Sequence, residues 1–136
     1  MKIDCVKDDT ISKNIISHGV YEKTNIELIT SVLDKIERPV FLDIGANIGN
    51  HAVPISQHVR KLFAFEPVPF TYSIFTKNIE QNFIKNIQPF NVAISNKTTK
   101  STIKFNTSGN IGASTLENHP ETQRYEAIQV VSCIWG

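Results

Sequence analysis

In the stretch LDIGANIGN, residues 42–50, an acid stands just ahead of a glycine turn. Asp43, Gly45, Ala46, Asn47, Gly49 and Asn50 are the residue types that could cradle a small ligand against bare backbone. Glycine lets the main chain approach a bound group and supplies positive φ, and asparagine is among the few other residues that tolerate it. Ahead of the turn, Val40-Phe41-Leu42-Asp43-Ile44 is a short apolar run that reads as a buried parallel strand. Behind it, residues from about Asn50 to Val59 read as helix, with Pro54 acceptable only in the opening turn. A glycine turn between such a strand and such a helix lies where open α/β sheets take their ligands, at the carboxyl ends of the strands.

Charge separates the nucleotides that use such turns. Dinucleotide sites seat a diphosphate on the loop and space their glycines as G-x-G-x-x-G, whereas here positions 47 and 50 are both Asn. A carboxylate about 4 Å from a phosphate costs on the order of 4 kcal/mol at an effective dielectric of 20. Asp43 therefore disfavours a phosphate and favours a phosphate-free cation, and S-adenosylmethionine, with its sulfonium and ammonium, is such a nucleoside. Glu66 ends the next apolar run, Leu62-Phe63-Ala64-Phe65, ahead of Pro67, and a carboxylate there can accept hydrogen bonds from both ribose hydroxyls. NAD would use the same acid, so Glu66 does not discriminate. Asn91 and Ala93 close the following run and are expected beside the adenine. No residue stands out as a catalytic base, and His51, on the helix after the turn, reads as a packed or surface histidine.

The elements that must position these residues follow in order. Thr24 with Glu27 has capping-box spacing, and Ile26, Ile29, Leu33 and Ile36 recur at helical intervals, so a helix is expected over Thr24 to Glu37. After Glu66, prolines at 67 and 69 introduce a helix with the face Tyr72, Phe75, Ile79 and Phe83, and Asn86 to Ile94 supplies a third strand. Strand, helix, strand, helix, strand with short connections predicts a parallel sheet and an α/β, Rossmann-like fold. Ser101 to Phe105 and Ala127 to Ile134 are expected to pair as antiparallel neighbours. Between them Asn106 to Arg124 is a long polar stretch in which Asn110 and Ser114 could meet substrate. Three parts result within a single domain: residues 1–38 as an N-terminal segment and helix, 39–95 as the ligand-binding core, and 96–136 as a hairpin with a long loop.

Composition bounds the partners. Fourteen Lys and Arg face 13 Asp and Glu, so no charge excess draws the chain to nucleic acid or an anionic membrane. Cys5 and Cys133 lack C-x-x-C spacing, the four histidines are scattered, and no metal site is expected. The charged opening MKIDCVKDD has no signal-peptide run, and a cytoplasmic location is expected.

The runs VFLDIGANIGNHAVPISQHV, FAFEPVPFTYSIFTKNIEQN and NVAISN, with the Gly-Ala-Ser turn at Gly112 to Ser114, resemble the FkbM family of S-adenosylmethionine-dependent methyltransferases from about Gly19 to Ser132. The resemblance implies a class I methyltransferase fold and methyl transfer, commonly to a hydroxyl oxygen of a sugar or secondary metabolite. It also brings Glu22, in the Tyr21-Glu22 pair, near the site. Family members continue into a further strand with a K-x-D-x-E-G-type motif, so the resemblance implies a domain shortened at its C-terminus, and Val68 replaces an acid common in the family. Two rivals stand beside this expectation. One is a non-catalytic binding fragment that self-associates through an exposed strand at Val130 to Trp135, and the other is an NAD-dependent oxidoreductase.

Overall fold

The structure, a computed structural model, describes residues 1–105 and 124–132. Its centre is a parallel sheet of β1 (Val40–Ile44), β2 (Lys61–Phe65) and β3 (Ile87–Phe90), in the order β1-β2-β3. The register sets Asp43 opposite Ala64 and Phe65 opposite Phe90, so the carboxyl ends of the strands finish side by side. Helix α1 (Thr10–His18) and α2 (Lys23–Leu33) precede the sheet, α3 (Ala52–Ile55) and a 3-10 turn (Ser56–His58) link β1 to β2, and α4 (Pro69–Gln81) links β2 to β3. The α/β expectation holds.

Strand alternation gives the sheet two unlike faces. Leu62, Ala64 and Asp43 point to the helices, where Phe75, Ile55, Val53 and Ile26 complete the main core. Phe75, Ile55 and Leu62 are fully buried, each contributing about 1.5–3 kcal/mol. The other face carries Val40, Leu42 and Ile44, exposed to 44%, 49% and 62%, and a stack of Phe63, Phe65 and Phe90. Among the described residues the outer edge of β1 has no partner strand.

Several elements depart from the sequence expectation. Helix α1 was not anticipated, although Asp9 caps it by accepting from the Ser12 amide and Gly19 closes it at φ 80°. Helix α2 runs Lys23–Leu33, shorter than expected, and Thr24 lies inside it. The cap position is Glu22, at φ 52° and without a side-chain cap bond, because its carboxylate faces Asn25 and His51 instead. Phe83 lies beyond the end of α4, at φ 55° and 82% exposed, and is no part of the core.

The expected third strand is two strands. Pairing with β2 stops at Phe90, and β4 (Ala93–Ser95) belongs to a second sheet. Asn91 makes the break: its side-chain amide donates to the carbonyls of Glu66 (2.8 Å) and Pro67 (3.2 Å) and turns the chain across the tip of β2.

The second sheet has the order β4-β6-β5, with β5 (Thr99–Phe105) antiparallel and β4 parallel to β6 (Arg124–Ser132). The expected antiparallel pair is present. Along the last strand Arg124–Val130 pairs with β5 and Val130–Ser132 with β4, so Val130 alone is paired on both sides. Asn110, the Gly112 to Ser114 turn and Trp135 lie outside the described residues.

Candidate functional site

The tip of β1 runs directly into the glycine turn. Gly45 has φ 85°, Asn47 φ 50° and Gly49 φ 88°, so the three positions chosen for backbone freedom all use it. The two glycines are needed for different reasons. A Cβ on Gly45 meets nothing within 4 Å, leaving the backbone open to an approaching group. A Cβ on Gly49 sits 2.5 Å from the Phe75 ring, so this glycine lets the turn lie flat on α4. Ala46 and Ile48 are buried beneath the turn, and Asn47 Oδ1 accepts the Ile48 amide at 2.8 Å.

Glu66 ties the turn to β2. Its Oε2 accepts from the Asn47 amide and its Oε1 from the Val68 amide, both at 2.8 Å. The second bond serves the start of α4, where Val68 occupies the cap position and offers no side-chain cap. With 6% exposure, Glu66 is a buried loop organiser, and each oxygen keeps a further lone pair for another donor. Burial pushes its carboxyl up from the usual range; the two amides oppose that shift and nearby Asp43 adds to it.

Asp43 is the less satisfied acid. It is 9% exposed and receives the Ala52 amide, but among the described residues its buried Oδ2 has no hydrogen-bond partner. Burial raises its pKa first, and His51 and the Ala52 amide pull it down. His51 Nε2 stands 3.2 Å from Glu22 Oε2 without the alignment of a hydrogen bond. Tyr21 bonds to Glu22 and has its own pKa raised, chiefly by burial. Asp43, His51 and Glu22 thus form a polar cluster at one side of the turn, with two buried atoms unserved. Burial leaves such groups about 1–3 kcal/mol short of satisfaction each.

The remaining expected residues divide. Asn50 is buried at 6% exposure, and the cap of α3 falls to His51 rather than to it. Pro67 and Asn91 join over the Glu66 tip through the amide bonds already described. Ala93 packs in a separate apolar cluster with Val68 and Ile103. A cavity of about 480 Å³ lies where β3 begins, lined by Met1, Val53, Asn82, Phe83 and Asn86 among others, and none of the expected site residues lines it. Among the described residues, no group of three His, Cys, Asp or Glu is placed to hold a metal, and no helix is long and apolar enough to cross a membrane.

No protein-family model matches the chain, and no curated protein matches it in sequence. Solved structures similar to part of it include an rRNA methylase from Streptococcus thermophilus, 16% identical over 52% of this chain and 41% of that one, with a TM-score of 0.48. A SAM-dependent methyltransferase from Agrobacterium tumefaciens is 11% identical over 55% of this chain and 26% of its own, with a TM-score of 0.49. A tRNA methyltransferase from Aquifex aeolicus is 24% identical over 58% and 35%, with a TM-score of 0.47. The chain therefore spans less than half the length of each of these structures.

Two site residues escaped the sequence reading. Neither the His51 contact with Glu22 nor the tie of Asn78 to the turn has a local signal, since their partners lie 29 and 30 positions away. The φ of Glu22 is likewise unreadable from a residue type that rarely adopts it.

Proposed function

We propose that this chain binds S-adenosylmethionine and forms the cofactor half of a methyltransferase of the FkbM type. The observation that carries the proposal is the buried, unserved Oδ2 of Asp43 beside the open backbone at Gly45. A desolvated carboxylate lacking one partner gains most from a cation, and a phosphate there is repelled. Asp43, with Glu22, would face the positively charged amino-acid end of the cofactor. Gly45 and Asn47 would lie under the nucleoside, and the spare lone pairs of Glu66 would take the ribose hydroxyls. When bound, the cofactor supplies a methyl group already activated by the sulfonium, and the chain's own task is to align it and exclude water. A hydroxyl oxygen of a sugar or secondary metabolite is the acceptor proposed from the family resemblance. The near balance of charge speaks against a nucleic-acid acceptor.

A binding module without catalysis is the second reading, and the uncovered sheet face at Val40, Leu42 and Ile44 favours it. Calorimetry with S-adenosylmethionine and with NADH tests the first. Saturable binding of the nucleoside, lost at least tenfold in Asp43→Asn, supports it. Tighter binding of NADH, or indifference to Asp43→Asn, sinks it. Methyl transfer to a hydroxyl acceptor by the same preparation separates enzyme from binder.

A further inference from the structure

Asn78 is fully buried in the third turn of α4, and three of its four side-chain hydrogen bonds go to partners distant in sequence. Its Nδ2 donates to the Ile48 carbonyl inside the glycine turn at 2.8 Å and to the Asp4 carbonyl at 3.3 Å. Its Oδ1 accepts from the Asp4 amide at 2.7 Å and from Gln81 Nε2 at 2.6 Å. One helical turn on, Asn82 repeats the pattern: Oδ1 accepts the Lys2 amide at 2.8 Å and Nδ2 donates to the Lys2 carbonyl.

The spacing explains why two asparagines can do this. Residues i and i+4 of a helix are separated by about 6 Å along the axis. Alternate residues of an extended chain repeat at about 6.6 Å. Each carboxamide turns one donor and one acceptor toward the segment, as a strand neighbour does, so Asn78 and Asn82 grip Lys2 and Asp4 as a β-ladder would. The gripped segment then turns in at Val6, whose amide donates to Ser12 Oγ at 2.9 Å. Its Ile3 and Val6 side chains pack with Ile11 and Ile15 on Ile48, which is 1% exposed. Ile48 is thus held by its carbonyl from α4 and by its side chain from the N-terminal segment.

We propose that Asn78 is a positioning residue for ligand binding: with the strap of residues 2–6, it fixes the turn between Gly45 and Gly49 in its ligand-ready form. The proposal rests on the cofactor site proposed above for its affinity arm, while its structural arm stands without any ligand. Asn78 touches no ligand and acts through the Ile48 carbonyl.

The test uses the full chain and three variants. Asn78→Ala removes the ties to Ile48 and Asp4 and leaves those of Asn82 to Lys2. Asp4→Pro removes the amide proton that Asn78 accepts together with the Asp4 carboxylate, in a segment that is partly exposed, and it serves if Asn78→Ala does not fold. Asp4→Ala keeps that proton and loses the ion pair with Lys77. Hydrogen exchange is read at the amides of residues 45–50 and, as the internal standard, at Leu62 to Ala64. The strap predicts at least tenfold faster exchange in the turn relative to the sheet for Asn78→Ala and Asp4→Pro, with Asp4→Ala like the parent. It also predicts about tenfold weaker binding of S-adenosylhomocysteine in the first two. Turn and sheet amides accelerating by the same factor overturns the proposal, as does faster exchange with unchanged affinity. If the parent chain binds no adenosyl ligand, the cofactor reading fails and the exchange ratio alone decides the role of Asn78.

Discussion

The tips of β1 and β2 each end in a buried carboxylate, and the two are treated in opposite ways. Glu66 has both oxygens served by backbone amides of the turn and of α4. Asp43, one strand over, has an oxygen with no partner among the described residues. Burial raises both acids, so both cost the fold something, but only Glu66 returns that cost as local order. Adjacent acids of one chemistry have thus split the work: one shapes the loop, and the other is held ready at the expense of stability.

Substitution at Glu66 should break this contrast most severely. Glu66→Ala strands the Asn47 and Val68 amides and is expected to cost about 2–4 kcal/mol in urea unfolding. A loss below about 0.5 kcal/mol would mean that water replaces the carboxylate without penalty, and the organising role would be wrong. Next, Gly49→Ala should cost about 2–3 kcal/mol, from its positive φ and the Phe75 contact together, and Gly45→Ala about 1 kcal/mol from φ alone. Equal losses at the two positions would show that the ring contact relaxes.

Asp43→Asn should move the other way. Removing a poorly served buried charge is expected to raise stability at neutral pH by roughly 0.5–2 kcal/mol while binding is lost. A clear loss of stability would place Asp43 beside Glu66 as a structural acid.

The smallest effect is on pH. Both acids have folded pKa values above their ordinary ones, so the protonated forms favour the fold. That stability is fully present below the ordinary carboxylate range and is lost as pH rises through the raised values. The ligand-free chain should therefore melt progressively lower as pH rises through that window, and Asp43→Asn should flatten the slope. A cationic ligand takes the ionised acid, so its affinity should rise over the same window. A melting point that rises across the window in the parent chain contradicts the assignment.

The first two sheet strands and the turn were legible because their causes are local. Val40 to Ile44 is an apolar run closed by glycine, and its bounds as β1 match the expectation. Asn47 takes the positive φ that its residue type allows. Helix α1 also has local signals, with Asp9 and Gly19 bracketing it as caps. What could not be read depends on distant partners. Nothing near residue 91 shows that its amide will reach back to Glu66 and divide a strand. Nothing at residue 22 shows that His51 will draw its carboxylate away from capping a helix. Whether the acids at 43 and 66 are served or unserved is likewise a property of the folded turn, although their positions at strand ends were plain.

The one-sided cladding of the sheet governs how the chain behaves at the bench. Val40, Leu42 and Ile44 present bare hydrocarbon to water on a surface continuous with a strand edge that has no partner among the described residues. Each 100 Å² of such surface removed from water returns about 2.5 kcal/mol. Dilution thus becomes an experimental variable in its own right: titrations at micromolar and at millimolar protein sample different degrees of crowding on that surface, and mild detergent should bring them into agreement.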